Sequence, residues 1–181
     1  MILTGSEIER RVADGSITLE PFSSDLLNPN SYNYRLGSEI LMSSSDTLDV
    51  AKSEPDEWTK HRIPDAGFVL RPKTLYLGHT VETIGSLEYV PLLIGRSSIG
   101  RLGLFLQISA DLGQLGSIHR WTLELVAVQP IRVYPGMRIG QVSFWKPTGQ
   151  IMEYNGFFGT MSEPTATPGG YALNDPDRAR N

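Results

Sequence analysis

The chain has no cysteine, which excludes disulfides, thiolate zinc sites and cysteine nucleophiles. Its three histidines, His61, His79 and His119, lie far apart without metal-ligand spacing, so no zinc is expected and each reads as a surface or structural residue. No run approaches the ~18 apolar residues of a membrane helix. The amino-terminal "MILTGSEIERR" lacks the apolar core of a signal peptide. A cytoplasmic protein without a membrane partner is therefore expected. Positive charge is also scarce: 16 Lys and Arg stand against 20 Asp and Glu, a formal net charge of -4. That balance argues against general nucleic-acid binding and leaves room only for a local basic patch. A Gly-x-Ser-x-Gly elbow is missing, which argues against an α/β-hydrolase. The His-x-Glu and Pro-Cys-x-x-Cys signature of the zinc nucleobase deaminases is missing too.

What is present is β-structure. The 181 residues suit one domain with a sizeable core. Many short apolar stretches are separated by turn formers, 18 glycines and 12 prolines in all, the pattern of a β-barrel or sandwich. A short helix comes first: in "TGSEIERRVADG" Thr4 can cap, Glu7 can complete a capping box, Ile8 and Val12 fall one turn apart, and Gly15 is a natural stop. "SITLEPF" reads as a short strand. "SYNYRLGSEILM" alternates Tyr32, Tyr34 and Leu36 on one face with Asn33 and Arg35 on the other. Residues 43–65 are polar and acidic, a long excursion with room for a hairpin. "GFVLRPKTLYLGHTVETIG" predicts two strands with Pro72 at an edge or bulge. "LGLFLQISA", "WTLELVAV", "IRVYPG" and "RIGQVSFWKP" predict the remaining strands. The domain is expected over 1–160. The polar segment 161–181 reads either as a flexible tail or as a flap over a ligand.

Two features carry chemistry. "GRSSIGRLG", Gly95 to Gly103, sets Ser97 and Ser98 between Arg96 and Arg101. Hydroxyls that both donate and accept, beside the fixed donor fork of guanidinium, suit phosphate or another polar ligand. The glycines allow close backbone approach. The stretch lacks the lysine and spacing of a Walker motif. A turn whose arginines make salt bridges is the competing reading. The second feature is Glu124 in "RWTLELVAV". On a strand Thr122, Glu124 and Val126 share one face and Leu123 and Leu125 the other. Either that face is solvated, or Glu124 lies in a pocket where a raised pKa suits proton transfer, with Arg101 as a plausible partner.

These residues also resemble a family. "GRSSIGRLGL", "ISADLG", "TLEL", "PGMRIGQVSF", "YNG" and the early "LNPNSYNYRLG" are similar to segments of the dCTP deaminases, members of the dUTPase-like superfamily of trimeric β-barrels. The match covers roughly residues 1–156. The resemblance implies a mostly β, dUTPase-like distorted barrel of jelly-roll type with a short N-terminal helix. It implies metal-independent hydrolytic deamination of a cytosine nucleotide, dCTP or a related one. The alternatives are a dUTPase-like pyrophosphohydrolase and a catalytically weak nucleotide-binding relative. It further implies Glu124 as proton shuttle, with Ser97, Arg101 and the Ala110 carbonyl positioning water and pyrimidine. Arg96, Ser98, Ile99, Gly100, Gln114, Thr122, Leu123 and Tyr154 would line the nucleotide. Sites would lie at the interfaces of a homotrimer, and Mg2+ would arrive with the phosphates.

The sequence departs from the family pattern at defined places. Gln114 stands where the resemblance has an acid tied to phosphate hydrolysis, and Asn33 replaces an early aspartate. Asp111-Leu112 replaces a His-Arg pair. Phe157 and Met161 replace a lysine and a glutamine of the C-terminal phosphate motif. A lysine makes charge-assisted bonds to phosphate that phenylalanine cannot, so triphosphate recognition is expected to be weakened.

Overall fold

The computed structural model describes all residues except 46, 50, 52–56, 108, 109 and 169–181. Helix α1 (Gly5–Ala13) begins where the Thr4 hydroxyl accepts the Glu7 N–H at 3.4 Å. The reciprocal half of the expected capping box is absent. The Glu7 carboxylate turns instead to Arg10 and Arg11, one helical turn on. Ile8 is fully buried, Val12 packs against the core, and Gly15 leaves the helix with φ +83°.

The described strands lie in three sheets. The largest runs β5 (Trp58–Arg62), β4 (Glu39–Ser43), β7 (Leu75–Gly85), β10 (His119–Ala127), β9 (Leu104–Leu106), with β1 (Thr18–Glu20) also paired to β7. A four-stranded sheet runs β2 (Leu27–Asn28), β3 (Ser31–Arg35), β12 (Arg138–Trp145), β8 (Val90–Gly95). β6 (Phe68–Leu70) pairs with β11 (Ile131–Val133). Every pairing is antiparallel. The expected barrel is therefore corrected in one respect: among the described residues the strands form open sheets, and β5 and β9 end the largest one without closing on each other.

Tyr32, Tyr34 and Leu36 are fully buried, as the alternation predicts, and so is Ile40 on β4. The Tyr34 hydroxyl donates to the Ile94 carbonyl at 3.0 Å, and burial pushes its phenol up. A Cβ on Gly140 would overlap the Tyr34 ring, which explains the glycine in "PGMRIG". The opposite face carries polar side chains that are paired inside the fold. Asn33 is buried and its amide donates to the Leu26 carbonyl and Asn28 Oδ1, both at 3.1 Å. Arg35 donates to the fully buried Glu82 from its backbone N–H at 2.8 Å and from Nε at 2.6 Å. A carboxylate in a core needs such partners.

One further expectation changes. Pro72 sits with Lys73 in a turn between β6 and β7, outside either strand; Lys73 adopts φ 63°. The hairpin for which the polar excursion had room is present in its strands, β5 pairing antiparallel with β4. No expectation covered β8, because Pro91 makes "VPLLIG" read poorly as a strand. β8 ends its sheet, and there a missing N–H is tolerated.

Candidate functional site

β8 leads directly into α2 (Ser97–Gly100), a single turn that places "GRSSIGRLG" at the surface. Arg96 precedes the turn and its Nη1 donates to the Arg138 carbonyl at 3.2 Å. Ile99 packs against the core and anchors the turn. Ser97, Ser98 and Arg101 are exposed, and their side chains make no hydrogen bond or ion pair with the described residues. The salt-bridged-turn reading therefore loses Arg101, whose donor fork is unspent among the described residues. Of the three glycines, Gly103 alone is demanded by the chain itself. It has φ +85°, and a Cβ there would lie 2.6 Å from Val128 Cγ2. A Cβ on Gly100 would meet nothing within 4 Å, so the surface of α2 is open.

On β10 the alternation is as expected. Leu123 and Leu125 are fully buried, while Thr122, Glu124 and Val126 are part-buried on the other face. Leu123 consequently has its side chain in the core and offers only backbone to a ligand. Partial burial pushes the Glu124 carboxyl above the usual carboxylate range. The expected Arg101–Glu124 pair does not form within one chain among the described residues, and desolvation alone causes the shift.

Gln107, not singled out by the sequence reading, joins Glu124 to Ala110. The Glu124 N–H donates to Gln107 Oε1 at 2.9 Å, and Gln107 Nε2 donates to the Ala110 carbonyl at 3.2 Å. Its only sequence signal is one amide inside the apolar run "LFLQ". Ala110 itself is exposed.

Segment 161–168 reaches β10 and β5 of the large sheet. The Thr165 N–H donates to Thr122 Oγ1 at 3.2 Å, and Lys60 Nζ lies 2.6 Å from Glu163 Oε2. The flap reading of 169–181 lies outside the described residues. Gln114 is exposed on a turn whose Leu115 carbonyl accepts the Tyr154 N–H at 2.8 Å. Phe157 follows in a short 3-10 turn (Phe157–Thr160), edge-on to Phe158 at 5.0 Å between centroids. The predicted residues thus fall into three groups: α2, Glu124 and Ala110 joined through the unpredicted Gln107, and the Gln114–Tyr154 turn. The exposed side chains of α2 are bonded to neither of the others within one chain among the described residues.

His79 and His119 are buried, each with Nδ1 2.9 Å from the carbonyl of the following residue, and burial lowers both pKa values. Among the described residues no helix is long and apolar enough to cross a membrane.

Residues 2–147 match a family model described as dCTP deaminase-like. A protein of Clostridium botulinum (strain Alaska E43 / Type E3), named "dCTP deaminase, dUMP-forming", is 46% identical over 155 residues, 86% of this chain and 88% of that one. A protein of the same name from Leptospira biflexa serovar Patoc (strain Patoc 1 / Ames) is 46% identical over 154 residues, 85% of this chain and 87% of its own. Among solved structures, a 2'-deoxycytidine 5'-triphosphate deaminase from Agrobacterium tumefaciens is similar with a TM-score of 0.61. Its identity is 21%, and the match covers 79% of this chain and 47% of that one, so the chain spans about half of that structure's length.

Proposed function

The chain belongs to the dCTP deaminase-like family, and from that membership we propose that it is an enzyme that adds water at C4 of the cytosine ring of dCTP and releases ammonia. The observation that carries this reading is Glu124, a part-buried carboxylate with a raised pKa, tied through Gln107 to the Ala110 carbonyl. The Glu124 carboxylate takes a proton from water as the oxygen bonds to C4, and that proton passes to ring N3. The tetrahedral carbon then collapses. The C4 hydroxyl passes its proton through Glu124 to the amine, the C4–N4 bond breaks as the C4 carbonyl forms, and the uracil ring and ammonia result. Ser97 and Arg101 hold the pyrimidine and the charge that develops on it. Ala110 accepts a hydrogen bond from the attacking water or the amine.

The relatives' names support dUMP as the final uracil nucleotide. That product takes a second hydrolysis, between the α- and β-phosphates, with diphosphate leaving. Gln114 stands where the resemblance has the acid for that step, and an amide cannot exchange a proton as a carboxyl does. The second hydrolysis is therefore expected to run slower than the first. The relatives' names do not favour hydrolysis alone or a catalytically weak binder. Magnesium would arrive on the nucleotide's own phosphate oxygens. The described residues hold no group of three or more His, Asp or Glu placed to hold a metal ion.

The test is to incubate the purified protein with cytosine nucleotides carrying one, two or three phosphates. Ammonia is measured and products are separated over time. Ammonia should appear, with dUTP accumulating ahead of dUMP. Each charge-assisted bond lost at Phe157 and Met161 would cost roughly 1.5–3 kcal/mol, so shorter phosphate chains should compete comparably with the triphosphate. A thousandfold triphosphate preference would overturn the phosphate reading, and no ammonia from any nucleotide would overturn deamination.

A homotrimer with sites between copies follows from the same family reading. Two observations support it: Ser97, Ser98 and Arg101 are exposed without partners among the described residues, and the exposed apolar residues Leu102, Phe105 and Val128 lie on or beside β9, which ends its sheet. Sedimentation at micromolar concentration should give the three-chain mass; a monomer alone would count against it.

A further inference from the structure

We infer that Gln107 is a positioning residue, whose side-chain amide sets the spacing between the Glu124 strand and the Ala110 carbonyl in the deamination site. The inference rests on the functional reading above.

The geometry begins with the end of a ladder. β9 pairs with β10 through Leu104–Ala127, Phe105–Val126 and Leu106–Leu125. The next pair would be Gln107 with Glu124. Gln107 instead adopts φ 49°, a left-handed conformation uncommon outside glycine, asparagine and aspartate. Its backbone leaves the strand there, and the Glu124 N–H would lose its partner. An unpaired backbone donor in a part-buried strand is costly. The Gln107 side chain replaces the missing rung, since its oxygen accepts that N–H at 2.9 Å.

The other end of the same amide donates to the Ala110 carbonyl at 3.2 Å. Only one orientation of the amide satisfies both contacts, oxygen toward the N–H and nitrogen toward the carbonyl. Gln107 is 7% exposed, so the bridging amide itself is buried. A single rigid group thus fixes the strand that carries the proton shuttle and one carbonyl oxygen of the site. The Ala110 oxygen keeps a second lone pair for a ligand. The end of β9 leaves Glu124 without a β9 partner at its own level, while β7 still pairs with it through Leu77 on the other side.

Two variants separate the two bonds. Gln107→Met keeps length and removes both. Gln107→Glu keeps the acceptor for the Glu124 N–H and removes the donor to Ala110. Each should lower kcat by about ten- to a hundredfold, the scale of a sub-ångström to 1 Å misplacement. KM should stay within about threefold, because neither bond contacts nucleotide directly. Amide hydrogen exchange of the full chain supplies a readout without turnover: exchange at Glu124 should quicken in Gln107→Met and stay near wild type in Gln107→Glu. Unchanged exchange at Glu124 in Gln107→Met would overturn the bridge itself. A kcat within twofold of wild type in both variants would overturn its positioning role, as would kcat and KM failing together with loss of folding. A wild type that releases no ammonia would sink the functional reading while exchange still decides the bridge.

Discussion

Replacing Glu124 with glutamine is expected to lower kcat for ammonia release by about a thousandfold while nucleotide binding persists. The amide keeps the shape of the carboxyl but cannot take a proton from water, and a positioned acid–base group contributes on the order of 10²–10⁴ to rate. Calorimetric binding paired with the ammonia assay checks both halves. Normal turnover in the variant would remove Glu124 from the mechanism. The pH dependence gives a second reading. Glu124 must be deprotonated to act as base, and burial raises its pKa. In the wild type the rate should therefore fall on acidification at a pH above the ordinary glutamate value of about 4.3. The sign for stability runs the other way. The folded state holds this proton more tightly than the unfolded chain does. That contribution is present at low pH and lost as pH rises through the raised folded value. At neutral pH Glu124→Gln, with no charge to bury, should melt no lower than wild type.

Arg101→Ala is expected to lower kcat by about 10²–10³ with no change in melting temperature. Losing one preorganised donor to developing charge typically costs that much. The side chain is exposed and unpartnered among the described residues, so folding has nothing to lose with it. Paired kinetics and thermal unfolding test this. A variant that unfolds readily, or one that turns over at the wild-type rate, would show that Arg101 serves structure or surface instead. The contrast with Arg35 is informative. That arginine is spent on the buried Glu82 at 2.6 Å, and nothing in its sequence context distinguishes it from a functional one.

Much of the candidate site was legible as geometry because its residues are local in the chain. Ser97, Ser98 and Arg101 are close in the chain, and a single turn keeps them together whatever the rest does. The face of Glu124 was legible too, since strand alternation is a property of the backbone. The burial of Glu124 was not, because the alternation is the same for a solvated face and a covered one. Segment 161–168 reads as polar tail, yet Glu163 and Thr165 find Lys60 and Thr122, partners roughly 100 and 43 residues away. Gln107 escaped for the same reason. Its role depends on where β9 leaves β10, and a left-handed residue other than glycine carries no composition signal.

The sequence by itself determined the fold class, the turn that presents two serines and an arginine, and the strand that carries one acidic side chain among apolar neighbours. Each follows from periodicity or from contacts within a few residues. Only the tertiary structure decided that the sheets stay open, that Asn33 and Glu82 are interior, and that Arg101 stands free of Glu124 within one chain. It alone joined Glu124 to Ala110 through Gln107. These outcomes depend on strand pairing and long-range burial, whose energies belong to pairs of distant residues and leave no periodic trace in the chain.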